Sequence, residues 1–346
     1  MKTICNQSLL AFAIVAVSLA MAAPAVADPL VGRDVLKFAQ RPMIDTVIPG
    51  SDERFHGHDE FSTAYSVFDA TGQISGYTGN YMADDFADKF TTPVVHVKWW
   101  GSYLNRPTTH PDPVQRFLIS FEKDVPAGPS PTNPFDFSHP GEPLLNQIVS
   151  LVPAGGVLTP GSGTYTEKVA GPVSRDGPIY EYNAELHLNK EFPQESDTVY
   201  WLKIVALVDV PTDTPADQRI QWGWHNRDYT IHNPLASTPP GVVPGEFPDG
   251  VIGVPAIPIW HFQDDAVHGS LNVFLDPTMP IMPRVEQSNV YEPQKYLPPW
   301  DGPSIIGAHS KDLAFELYTV PEPAACMLML VGVAGGILLR RRHRAV

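Results

Sequence analysis

Side chains alternate across a β-strand, so apolar residues at every second position mark a strand with one covered face. Tyr180, Tyr182, Ala184, Leu186 and Leu188 share one such face, and Glu181, Asn183, Glu185 and His187 share the other. This predicts a strand with one wet side. Phe117, Ile119 and Phe121 alternate with Arg116, Ser120 and Glu122 in the same manner, and 94–100 and 313–319 are further candidates. Ile220, Trp222 and Trp224 keep the two-residue period with Gln221 and Gly223 between them. The run from Val199 to Val208 is apolar at nearly every position except Lys203, as expected of a central strand covered on both faces. No segment combines a long apolar helical repeat with caps at both ends.

Between these strands run long Pro-rich connections at 106–113, 126–143, 211–215 and, longest, 234–258. Many strands, few helices and turn-rich loops predict an all-β fold, an antiparallel β-sandwich of jelly-roll or immunoglobulin-like type. We place one domain at 61–319, preceded by an irregular lead-in at 28–60. The 234–258 stretch reads as a loop inserted in that domain, because the sequence after it offers too few strands for a second sandwich. Pro residues also keep edge strands from recruiting neighbours.

Both ends carry addresses. Lys2, the apolar stretch Leu9 to Met21 and the small residues Ala25-Val26-Ala27 form the three parts of a secretory signal at 1–27, with cleavage directed by Ala25 and Ala27. At the other end, Pro321-Glu322-Pro323 precedes an apolar segment at 324–339 and a terminal cluster of Arg340, Arg341, Arg342 and Arg344. Flanking Arg orients such a transmembrane helix with the cluster in the cytoplasm, leaving the body outside. The segment contains Gly332, Gly335 and Gly336 and is short for a full span, which takes about 20 residues.

The tail at 320–346 resembles the PEP-CTERM sorting signal, in which a Pro-Glu-Pro triplet, a short helix and an Arg cluster end the chain. The resemblance implies recognition of Pro321, Glu322 and Pro323 by an exosortase-type sorting enzyme. The precursor would be anchored in the inner membrane by its C-terminal segment, then processed and delivered to the cell surface or the extracellular matrix. Ala83-Asp84-Asp85-Phe86, Trp99-Trp100-Gly101-Ser102-Tyr103, Val199-Tyr200-Trp201-Leu202, Trp222-Gly223-Trp224-His225, Gln263-Asp264-Asp265-Ala266-Val267 and Leu313-Ala314-Phe315-Glu316-Leu317 are similar to an uncharacterised exported domain that recurs beside such tails. That likeness implies the sandwich and leaves function open.

Composition sharpens this picture. The 346 residues carry 23 Lys plus Arg against 38 Asp plus Glu, a formal charge of -15. Removing both sorting segments takes away Lys2, Arg340, Arg341, Arg342, Arg344 and Glu322, leaving a body with 18 basic and 37 acidic residues. Such a body is no general nucleic-acid binder, which needs clustered cations to displace counterions from phosphate. Both cysteines, Cys5 and Cys326, leave with the ends, so the body is held by its core rather than by disulfides.

Motifs for a phosphate loop, a dinucleotide fold, a Gly-x-Ser-x-Gly nucleophile or a zinc protease are absent from the sequence. Glu181 and Glu185 are predicted about 13 Å apart along one strand, too far for a glycosidase pair. Adjacent Asp84 and Asp85 point to opposite faces. These carboxylates read as a solvated face and a strand-start turn. Asp84, Asp85, Asp264 and Asp265 are nevertheless candidate oxygen ligands for calcium if their segments lie side by side, the alternative being Asp residues that cap turns. No other cofactor is indicated. His56-Gly57-His58-Asp59-Glu60 is dense in ligands but reads as a solvated loop. Among the Trp residues, Trp201 and one of Trp99 and Trp100 are assigned to the core, whereas Trp260 and Trp300, flanked by loop residues and Pro, are the candidates for an exposed sugar-stacking platform.

The sequence therefore points to an exported, non-enzymatic surface or matrix protein with extracellular polysaccharide as the candidate ligand. A ligand-free surface-layer protein and a secreted hydrolase of matrix glycans are the alternatives.

Overall fold

The apolar run at Tyr200–Val208 forms a strand in which every residue is buried, with neighbours on both edges. The structure, a computed structural model, describes residues 34–47, 54–105, 112–126, 138–174, 177–211, 213–228, 266–288, 292–293 and 312–320, which fall in one unit beginning at Asp34. In chain order its strands are β1 (Val35–Gln40), β2 (Thr46–Val47), β3 (Arg54–Phe55), β4 (Asp59–Phe61), β5 (Thr63–Phe68), β6 (Ile74–Phe86), β7 (His96–Tyr103), β8 (Arg116–Val125) and β9 (His139–Leu151). They continue with β10 (Thr164–Ser174), β11 (Gly177–Glu185), β12 (Tyr200–Val208), β13 (Trp222–His225), β14 (Val267–Phe274), β15 (Arg284–Gln287), β16 (Glu292–Pro293) and β17 (Phe315–Thr319). A single 3-10 turn at Ala216–Gln218 is the one helical element among the described residues, where no helix is long and apolar enough to cross a membrane. Residues 1–27, 321–346 and 234–258, on which the expected sorting segments and inserted loop fall, lie outside the described residues.

The fold is all-β, as the alternation predicts. One mixed sheet runs β1-β17-β7-β11-β10-β9-β8-β12-β5-β6-β14-β15, and β13 joins β7 to β4. Two contacts depart from the antiparallel arrangement expected: β12 runs parallel to β5, and β10 runs parallel to β9 over two residue pairs. The lead-in expected to be irregular is also structured, since β1 pairs with β17 and β4 with β13.

The sheet folds over itself at the brief β10–β9 contact. Its two halves face each other across a core in which Trp99, Tyr165, Tyr182 and Trp222 from one half meet Phe117, Ile119, Ile204 and Phe121 from the other. Phe117 sits at the junction, with its ring 5.2 Å from Trp99, 5.1 Å from Tyr165, 5.2 Å from Tyr182 and 4.9 Å from Trp222. The four approaches are edge-on, the favourable orientation for ring quadrupoles. Gly101 allows β13 to lie close here: a Cβ at that position would stand 2.3 Å from the Gly223 carbonyl oxygen and 2.5 Å from the Trp222 ring.

A second core explains why β12 is covered on its other face. Trp201, Val205 and Leu207 pack with Leu118, Tyr81, Ala83, Val267, Leu271 and Val285. The far end of the sheet curls back to make this possible, and the Ile148 N–H donates to the Ile281 carbonyl at 2.9 Å. Gln287 Nε2 likewise donates to the Gly141 carbonyl at 3.0 Å. Lys203 projects into this core, where Nζ donates to Glu122 Oε1 at 2.5 Å and to Gln287 Oε1 and lies 4.0 Å from the centre of the Tyr81 ring. Both charged side chains are fully buried.

Candidate functional site

Several acidic residues expected to be solvated are interior. Asp84 and Asp85 do point to opposite faces, but they stand near the end of β6 and are 0% exposed, so neither is a strand-start turn. Asp84 accepts the backbone N–H of Leu313 at 2.7 Å. Burial, joined by the nearby Asp312 carboxylate, holds Asp84 well above the usual carboxylate range, against the opposing pull of the Leu313 N–H and Arg227. Asp264 and Asp265 lie outside the described residues, as do Trp260 and Trp300. Glu185 is 1% exposed rather than on a wet face, while Glu181 is half-buried and paired with Lys168 at 2.8 Å and Lys98 at 3.6 Å. Both Trp99 and Trp100 are buried, because β7 is covered on each side.

The His56–Glu60 segment is not a solvated loop either. His58 and Asp59 are buried, and His58 Nε2 lies 2.7 Å from Glu60 Oε1. Asp59 Oδ2 accepts a hydrogen bond from the Ser102 hydroxyl, and Asp59 Oδ1 lies 3.1 Å from His225 Nδ1. This brings Ser, Asp and His together in an order unsuited to nucleophilic catalysis. The carboxylate sits between the other two, and His225 Nε2 is 3.1 Å from the Met43 carbonyl oxygen, so the imidazole is not placed to take the serine proton. The network ties β4, β7 and β13 together.

Lys37 on β1 is a further buried cation, donating to the Thr92 carbonyl and, at 3.0 Å, to Gln194 Oε1. Burial lowers its pKa to about 8, against the opposing effect of Asp88. The folded chain therefore loses this proton before the unfolded chain does, and stability gains with pH between about 8 and 10.5. Lys37→Met should remove that gain. Unfolding free energies of wild type and variant, from urea titrations, should diverge across the window by about 2–3 kcal/mol in favour of wild type; parallel pH profiles would refute the assignment.

A cleft of about 910 Å³ lies at one end of the folded sheet. The end of β8 brings Lys123 and Asp124, β9 brings Leu144, and the segment leading into β12 brings Phe192 through Tyr200. Its apolar wall is rigid: Phe192 stacks on Phe121 with ring centres 4.3 Å apart and meets the Tyr200 ring edge-on at 5.1 Å. Tyr200 Oη accepts the Glu195 N–H at 3.1 Å, and the Asp197 N–H donates to the Asp88 carbonyl at 2.8 Å. These bonds hold the segment that carries Glu195 and Asp197, both exposed. Asp124 Oδ1 accepts from Trp201 Nε1 at 2.8 Å, while Lys123 is drawn to Glu142 at 2.6 Å. Three carboxylates thus line a cleft whose aromatic backing, Phe192 and Tyr200, is buried and whose exposed apolar surface comes from Leu144 and Pro193, a chemistry that accepts hydrogen bonds from hydroxyls and packs against apolar ring faces. No alternation pattern reveals this site, because its walls come from segments about seventy residues apart.

A family model described as a domain of unknown function, DUF7901, matches residues 36–242. The chain belongs to the DUF7901 family. The matched span of DUF7901 runs from β1 through β13 and includes the whole cleft. β14 and β17 lie beyond it, yet they pair with β6 and β7 and complete the same sheet. Neither a curated protein nor a solved structure matches the chain.

Proposed function

We propose that this protein is an exported, non-enzymatic component of the cell surface or extracellular matrix, and that its cleft binds polysaccharide. The leader at 1–27 and the Pro321-Glu322-Pro323 tail with its Arg cluster support export and exosortase sorting. We read the folded sheet as a β-sandwich of the kind that carries binding sites at its ends. The observation that carries the binding assignment is the pairing of the exposed apolar Leu144 and Pro193 with the exposed Glu195 and Asp197 in one cleft. Packing of an apolar sugar face on Leu144 and Pro193 and acceptance of sugar hydroxyls by the carboxylates need no reacting group. The acidic body favours neutral or cationic glycans over anionic ones.

The test is retention of the full chain on immobilised bacterial and algal polysaccharides, repeated with Glu195→Ala and Asp197→Ala. Both side chains are exposed, so the fold should survive, while affinity for a true ligand should fall roughly tenfold for each lost charge-assisted bond. Retention that is identical in all three proteins would remove the cleft from the proposal. Release of reducing sugar that stops with either substitution would replace binding by hydrolysis.

A further inference from the structure

Three buried side chains from separate parts of the chain converge beside the cleft: Lys37 on β1, Asp88 just after β6, and Gln194 in the segment between β11 and β12. Lys37 and Asp88 are 0% exposed and Gln194 is 5% exposed. Lys37 Nζ donates to Gln194 Oε1 at 3.0 Å and to the Thr92 carbonyl. Asp88 is fixed through Oδ1, which accepts the Phe90 N–H at 2.8 Å. Its other oxygen, Oδ2, and Gln194 Nε2 are both buried and outside regular hydrogen-bond geometry with any partner. Burial raises the Asp88 carboxyl above its usual range, opposed first by the Lys37 charge and then by the Gln194 amide, so Asp88 borders both groups.

We propose that Lys37 and Gln194 condense into an intramolecular isopeptide bond, with Asp88 carrying the protons. An amine 3.0 Å from the carbonyl oxygen lies within about 3–4 Å of Cδ, since the C=O bond is only about 1.2 Å long. That is close to the separation of about 3–3.5 Å from which reacting atoms attack. Amides are inert to amines in dilute solution, but well-oriented intramolecular reactions gain effective molarities of about 10⁵–10⁸ M. Burial also brings the Lys37 ammonium down to about 8, so roughly a tenth of it is the neutral nucleophile at pH 7. Asp88 first takes a proton from the ammonium. Nζ then attacks Cδ, forming the new N–C bond and a tetrahedral centre with its charge on Oε1. Asp88 passes its proton to Nε2, the Cδ–Nε2 bond breaks, and ammonia leaves by the cleft that Gln194 lines. The proton remaining on the new amide nitrogen's excess returns to Asp88, which ends neutral. Nothing is oxidised or reduced, and a buried ammonium and carboxylate are exchanged for an uncharged amide and an uncharged acid, which removes their desolvation cost. The bond joins residues 157 positions apart and ties the edge strand β1 to the cleft wall, a covalent clasp in a body that has no cysteine.

The experiment follows the intact mass of the full chain, unfolded for measurement after refolding and incubation at pH 8. The mass should fall by one ammonia, and proteolysis should yield a branched peptide containing Lys37 and Gln194. Before the bond forms, the free amine carries the pH dependence described for Lys37; the amide has no proton to lose, so that dependence should vanish as the mass falls. The melting temperature should rise by roughly 10 °C. Lys37→Met and Gln194→Ala should keep the full mass, and Asp88→Asn should slow the loss by about a hundredfold or more. Circular dichroism identifies folded variants, and Gln194→Ala serves if Lys37→Met does not fold. A wild-type mass that stays at the full value overturns the proposal. So does an ammonia loss that persists in Gln194→Ala, a branched peptide joining other residues, or an unchanged rate in Asp88→Asn. Mass is read without polysaccharide, so this proposal and the binding proposal stand or fall separately.

Discussion

Lys203→Met should lower the unfolding free energy by about 3–5 kcal/mol, because it strands a carboxylate in the second core. Glu122 accepts from Lys203 and, at 2.9 Å, from Ser120, but its other oxygen, Oε2, is buried without a hydrogen-bond partner. Without the ammonium, that carboxylate must either stay charged in an apolar setting or take up a proton. Burial also lowers the Lys203 pKa, an effect that Glu122 opposes, so each charge exists inside the protein largely because of the other. Replacing both, Glu122→Met with Lys203→Met, should therefore recover most of the loss, since a well-packed apolar pair often equals or exceeds a buried ion pair. Urea unfolding of the two single variants and the double variant completes the cycle. A single-variant loss below about 1 kcal/mol would show that water reaches the pair.

Phe117→Ala should cost a similar amount, about 3–5 kcal/mol, for a different reason. The ring comes from β8 and fills the space among Trp99, Tyr165, Tyr182 and Trp222, which belong to the facing half of the sheet. Its removal takes away the apolar transfer term and leaves a cavity whose aromatic walls cannot collapse easily, because Trp99 is also stacked on Tyr182 at 5.3 Å. Phe117→Leu retains part of the volume and should cost about 1–2 kcal/mol. Denaturant midpoints give the energies, and near-ultraviolet circular dichroism should lose intensity in proportion. Equal midpoints for Ala and Leu would place the contact between the halves elsewhere.

The strands were largely legible in the sequence, and their covers were not. The run at 199–208 announced a doubly buried strand because ten residues without a polar face have nowhere wet to point, and β12 is that strand. Alternation at 180–188 correctly divided two faces, but it cannot say what lies over the polar one. Glu185 is buried beside His96, its cross-strand neighbour on β7, about ninety residues away in sequence. Asp84 was misjudged for the same reason, since the Leu313 amide that binds it is 229 residues distant. Charge is a weak guide to exposure wherever an acid finds a remote donor. The cleft escaped notice because Asp124, Glu195 and Asp197 form no local motif.

The pairing of β1 with β17, Val35 opposite Thr319, has a temporal meaning. An edge strand made near the start of synthesis waits for a partner made near its end, and β5 likewise waits for β12 before Thr63 can meet Ala206. Contacts so distant in sequence are closed late and slowly, on the millisecond-to-second scale typical of non-local β topologies. The sheet is therefore sealed at its edge only once β17 is available, and the chain before that point has no partner for β1.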